Sequence, residues 1–180
     1  MNLRRRSRHR SRHIDPELEF FSGLSVRQLR RIEELLTIVD VPSGRSLGLQ
    51  GQIGREFIVV LAGKVSVSVH GTPLAVLHDG HHFGALPLLD PLGSPRRRAS
   101  FHPLVLTSVG VASRQEFNAM RRDVPVIDDR IRRLADKRQA YFDGVEAGRQ
   151  EAEVNAAVDR FPVDVGEPVV ARVGQSTARV

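Results

Sequence analysis

The chain has 180 residues, is 41% hydrophobic and contains no cysteine. That length suits one domain with tails, and the missing thiols exclude disulfides, zinc fingers and cysteine catalysis. The net charge of +6 is local: residues 1–13 hold six arginines and no acid, so the remaining 21 basic and 21 acidic residues cancel. The body of the chain is therefore not a basic nucleic-acid platform. No apolar run approaches the ~18 residues of a membrane span. No secretory apolar region follows Met1. A cysteine-free chain also fits a reducing compartment, so a cytoplasmic location is expected.

Residues 1–14 read as a disordered leader, since arginines with almost nothing to bury cannot offset the entropy of ordering. Contact with nucleic acid or an anionic surface is expected only through this leader, and a solvated tail is the plainer reading. Order is expected from Asp15. Leu18, Phe20, Phe21 and Leu24 form an apolar cluster, broken at Gly23. Ser25 followed three residues later by Gln28 is a capping box. Leu29, Ile32, Leu35 and Leu36 then recur at helical spacing, which predicts a helix over Ser25–Leu36.

Residues 37–82 read as short strands with turn signals every 8–12 residues. Thr37–Val41 is β-branched, Phe57–Leu61 is continuously apolar, and Lys64–His70 alternates with Val65, Val67 and Val69 on one face. Gly71-Thr72-Pro73 turns into Leu74–Leu77. Later strands are expected at Phe101–Leu106 and Ser108–Val111. Ser113 with Glu116 is a second capping box, starting a helix through Met120, and Pro125 suits the first turn of another. Along that helix Ile127, Ile131, Leu134, Tyr141 and Val145 form one stripe, interrupted by Arg138 and suited to a core or a homodimer seam. Helix is expected to about Val158, and residues 144–180 read as a partly helical, then disordered tail. The fold class is α+β, an antiparallel jelly-roll-like β-roll flanked by N-terminal and C-terminal helices.

The chemistry gathers between His82 and Ser100. Phe83-Gly84 lets backbone approach a ligand. Leu86–Leu89 can form one helical turn whose N–H groups suit an anion. Arg96-Arg97-Arg98 precedes Ala99-Ser100, and an arginine fork can clamp the same anion.

This stretch resembles the phosphate-binding cassette of cyclic nucleotide-binding domains, in which F-G-E-[LI]-A-L leads through a short loop to R-x-A-[ST]. The resemblance extends over residues 18–143. It includes F-F-S-G-L-S-x-x-Q-L-x-x-I, then G-x-x-G-x-E-F-I-V-V-L-A-G-K-V-S-V, then G-T-P-L-A-V-L-H-D-G-H-H-F-G. It implies a domain over 15–143 and a nucleotide site at Phe83, Gly84, Ala85, Leu86, Arg97, Ala99 and Ser100, with cAMP or cGMP as ligand and no other cofactor. The family's glutamate, which accepts from the ribose 2′-hydroxyl, is Ala85 here, and a family backbone donor is replaced by Pro87. The clamp maps to Arg97, with Arg96 as a rival, and the loop is about three residues longer than the common form. Tyr141 or an apolar neighbour is expected to cap the base.

Two function classes follow. The first is a regulatory sensor of cAMP, cGMP or another phosphate ligand, with weakened affinity, because a lost bond to a charged acceptor costs roughly 1.5–3 kcal/mol. The second is a ligand-free interaction module with an Arg-rich tail that contacts a protein partner. A helix-turn-helix of the kind that transcriptional regulators carry after such a domain is not expected in residues 144–180. His78, Asp79, His81, His82 and His102 offer metal-ligand chemistry, but the His-x-His pair and downstream Glu of a cupin are missing, so no metal site is assigned. Ser100 after three arginines also suits a basophilic kinase. No nucleophile–base pair stands out, so catalysis is not expected.

Overall fold

A computed structural model describes residues 14–90 and 96–160. The leader, five residues of the cassette loop and the chain after Arg160 lie outside the described residues, and so do the expectations of disorder at either end.

The elements are α1 (Val26–Glu34), β1 (Thr37–Val41), β2 (Glu56–Ala62), β3 (Val65–Val69), β4 (Thr72–Leu77), β5 (His82–Phe83), α2 (Ala85–Leu89), β6 (Ser100–Pro103), β7 (Thr107–Ser113), α3 (Arg114–Asp123) and α4 (Pro125–Arg160). Both capping boxes form. Ser25 Oγ accepts from Gln28 N–H while Gln28 Oε1 accepts from Ser25 N–H, and Ser113 and Glu116 repeat the pattern. Each box satisfies two otherwise orphaned helix-end donors. Pro125 opens α4, where a missing N–H costs nothing.

Two antiparallel sheets make a β-roll. One is ordered β1-β7-β2-β5 and the other β4-β3-β6. Strand β2 is central and buried on both faces, which is why its sequence is an uninterrupted F-I-V-V. Phe57 and Val59 join Ile32, Phe117, Met120, Ile127 and Ile131 in a helix-side core. Ile58 and Val60 join Val65, Val67, Val69 and Val109 in a second core shared by the two sheets. Full burial of each such side chain stabilises by about 1.5–3 kcal/mol. Strand β3 has one buried face and therefore alternates Val with Ser.

Two local expectations shift. The strand expected to run to Leu106 ends at Pro103, which pairs with Val65 but has no N–H to extend the ladder. Leu104, Val105 and Leu106 are exposed in the turn that follows. On α4 the buried stripe is Ile127, Ile131, Ala135 and Phe142, while Tyr141 is 51% exposed. Successive residues of an α-helix stand about 100° apart, so where Phe142 faces the core Tyr141 faces away from it.

The described residues divide after Phe142 into two units. The described part of the second is the continuation of α4 to Arg160. Among the described residues no helix is long and apolar enough to cross a membrane.

Candidate ligand site

Residues 83–89 are built around one glycine. Gly84 caps α2 with φ 87° and ψ 1°, in the left-handed region that costs an L-residue steric strain. A Cβ there would stand 2.3 Å from the Glu56 carbonyl oxygen. Only glycine lets the end of β5 cross β2 this closely. The short α2 that follows is held from outside. Arg114 donates to the Pro87 and Leu88 carbonyls, each at 3.2 Å, which supplies partners for groups a five-residue helix leaves orphaned.

The second half of the cassette is bracketed by residues 48–54. Arg97 N–H donates to the Gln52 carbonyl at 2.8 Å and the Arg97 carbonyl accepts from Gly51 N–H at 2.8 Å. Extended pairing alternates side chains, and the outcome decides between the arginines. Arg97 is 5% exposed and Ala99 is 1% exposed. Arg96 is exposed and donates outward to the Gly51 carbonyl. The Arg97 stem lies so close to the chain that a Cβ on Gly48 would fall 2.6 Å from its Nε.

The Arg97 guanidinium is a desolvated charge with one counter-ion. Its Nη2 donates to Glu56 Oε2 at 2.9 Å, from a side chain 4% exposed to one 46% exposed. Its Nη1 is buried without a hydrogen-bond partner among the described residues. Burial pulls the guanidinium below its ordinary value, and Glu56 pulls it back. Sequence reasoning gives Glu56 no role, although it is the acid of the G-x-x-G-x-E-F-I-V-V run quoted above.

Arg97 lines a cavity of about 350 Å³, a size that suits a small ligand. Phe83, Gly84, Ala85, Leu86 and Ala99 line it too. The structure thus brings together six of the seven residues named from the sequence. Ser100 does not line the cavity: its Oγ accepts from Gln50 N–H at 3.0 Å. One wall is the stacked pair Phe83 and Phe101, with ring centroids 4.1 Å apart and planes at 14°. Another is α4, which contributes Ala135, Lys137, Arg138, Tyr141 and Phe142. Arg138, an interruption of the stripe by sequence, instead turns inward and donates to the His82 carbonyl at 2.6 Å.

The histidines do not converge. The His82 ring packs between Phe20 and Phe57, with centroids 4.7 and 5.2 Å away. Its Nδ1 has no partner among the described residues. Burial first, then Arg138 and His81, push its pKa down to about 3. His81 Nδ1 accepts from the His78 N–H, and Asp79 accepts from the Gly63 N–H. Among the described residues no three metal-ligating groups gather.

Residues 38–123 match the family model of the cyclic nucleotide-binding domain. The Pycsar effector protein XpPycTIR of Xanthomonas perforans is 29% identical over 133 residues, covering 70% of this chain and 42% of that protein. The chain thus spans less than half of this relative. Among solved structures, the Thermus thermophilus catabolite activator protein is 24% identical with a TM-score of 0.54, covering 79% of this chain and 62% of that one. The cAMP-bound PfPKA-R fragment is 17% identical with a TM-score of 0.64, covering 74% and 45%. A PKAR CBD2 domain with bound Sp-2Cl-cAMPS is 17% identical with a TM-score of 0.62, covering 73% and 86%. At these identities the structural likeness speaks for the fold. The family match covers residues 38–123, just under half of the chain, and this stretch is similar to a cyclic nucleotide-binding domain.

Proposed function

We propose that this chain is a regulatory sensor in which a cyclic nucleotide, or a related phosphate ligand, docks in the cavity against Arg97. One observation carries this reading: the Arg97 Nη1 is buried without a partner among the described residues, on a residue that lines a ligand-sized cavity. A buried cation short of hydrogen bonds is costly, and an anion would relieve that cost. The apolar walls, including Phe83 and Phe101, suit a base and a sugar face.

The site is expected to bind cyclic nucleotides weakly. Ala85 offers no acceptor to a sugar hydroxyl and Pro87 has no N–H to donate. The loss of a bond to a charged acceptor alone is worth roughly 1.5–3 kcal/mol, or about 10- to 150-fold in affinity. The second reading, a ligand-free interaction module, draws on Glu56, which already supplies Arg97 with a counter-ion.

Calorimetric titration of the full chain with cAMP and cGMP separates the two. Binding that disappears in Arg97→Ala supports the sensor and assigns the clamp. Silence in the natural chain with recovery in Ala85→Glu supports the interaction module built on an intact cradle. Silence in both removes the cavity as a nucleotide site.

A further inference from the structure

The four charged residues lining the cavity are Arg97, Arg98, Lys137 and Arg138, and no carboxylate is among the described lining residues. Glu56 bonds Arg97 from outside the lining and is 46% exposed. The cations come from two walls. Arg97 and Arg98 belong to the segment before β6, and Lys137 and Arg138 are consecutive on α4. Arg138 is half-buried, and its one hydrogen bond among the described residues goes to a neutral acceptor, the His82 carbonyl. Burial holds its guanidinium below the ordinary value. Lys137 is exposed beside it.

Cations gathered on the walls of one apolar cavity repel one another, and the half-buried Arg138 is poorly solvated as well. A single negative charge at Arg97 leaves the α4 pair unbalanced. We propose that Lys137 and Arg138 form a second anion subsite, so that the preferred ligand is a nucleotide carrying two separated anionic groups. This rests on the reading of Arg97 as the first phosphate clamp. The described lining also lacks Asp, Glu, Asn, Gln, Ser and Thr. Side chains that accept from sugar hydroxyls are therefore scarce, and the number of charges on the ligand governs selection in place of its hydroxyl pattern.

The test is competition binding on the full chain with two probes that share a base, cAMP and adenosine 3′,5′-bisphosphate, repeated with the guanosine pair. The bisphosphate is expected to bind about tenfold more tightly than the cyclic monophosphate. In the Lys137→Gln, Arg138→Gln double variant that preference should vanish, the bisphosphate losing about tenfold more affinity than cAMP does. Arg138→Lys, which keeps the charge, should retain the preference. Because Arg138 is half-buried, the exposed Lys137→Gln variant serves as a folding-neutral check and should lower the preference for the bisphosphate over cAMP about threefold. Equal or tighter binding of cAMP, or a preference that survives in the double variant, overturns the second subsite and leaves the sensor standing. Binding of neither probe overturns both.

Discussion

Glu56 and Arg97 lie 41 residues apart and form an ion pair of 2.9 Å between a half-exposed carboxylate and a buried guanidinium. The same Glu56 presents its carbonyl to Gly84. One residue of β2 thus meets both halves of the cassette, through its main chain on one side and its carboxylate on the other.

Removing that carboxylate should loosen Arg97. Glu56→Ala is expected to cost about 1–2 kcal/mol, below the full value for a buried pair because Glu56 is partly solvated. Glu56→Gln keeps an acceptor oxygen and should cost less. Urea denaturation of the three proteins checks this. An Ala variant as stable as the natural chain would show that the pair contributes nothing net.

Gly84 and Gly71 offer a controlled comparison. Both have positive φ, 87° and 79°, but a Cβ at Gly71 meets open space while one at Gly84 meets the Glu56 carbonyl at 2.3 Å. Gly71→Ala should cost about 1 kcal/mol from backbone strain alone. Gly84→Ala should cost more than about 3 kcal/mol, because main chain must move. Thermal melting of both variants gives the difference, and equal melting temperatures would show that β5 can shift freely away from β2.

His82 makes stability depend on pH. It titrates at about 3 in the fold, against 6.5 for a solvated histidine. The folded form keeps it neutral, and the unfolded chain takes up the proton first. Its contribution is therefore complete above pH 6.5 and is lost as pH falls toward 3. At about pH 4.5 the loss is about 2–3 kcal/mol. Stability curves of the natural chain and of His82→Phe between about pH 7 and about pH 4.5 should converge in the acid limb. Parallel curves would mean that another group governs the acid response.

Arg114 ties α2 to the start of α3 through two carbonyls. Arg114→Ala is expected to cost about 1–2 kcal/mol. It should also raise amide exchange in 85–90 more than in β2, whose amides belong to the sheet. Uniform exchange across both segments would show that α2 does not open on its own.

The nearby signals were legible in the residues themselves. Ser25 with Gln28 and Ser113 with Glu116 act over three residues, where side chain meets its own helix end. Val65, Val67 and Val69 declare a one-sided strand by period alone. Phe83-Gly84 and the arginines before Ala99 mark the cassette by resemblance, with Arg96 left as a rival to Arg97, and six of the seven named residues line one cavity. Position on α4 was less legible. Tyr141 and Phe142 both fit an apolar helix, and only Phe142's place in the core cluster that also holds Ile58, Val60 and Phe83 makes it the buried one.

The sequence by itself determined the elements, the order in which they come and the place of the cassette, because caps, turns and alternation are local consequences of side-chain chemistry. Tertiary structure decided which arginine is buried, which acid neutralises it and which helix residues face the cavity. Arg97 meets Glu56 across 41 positions and Arg138 meets the His82 carbonyl across 56. Contacts at such separations follow from how strands cross and sheets pack, and a residue on its own carries no mark of the partner that the fold will bring to it.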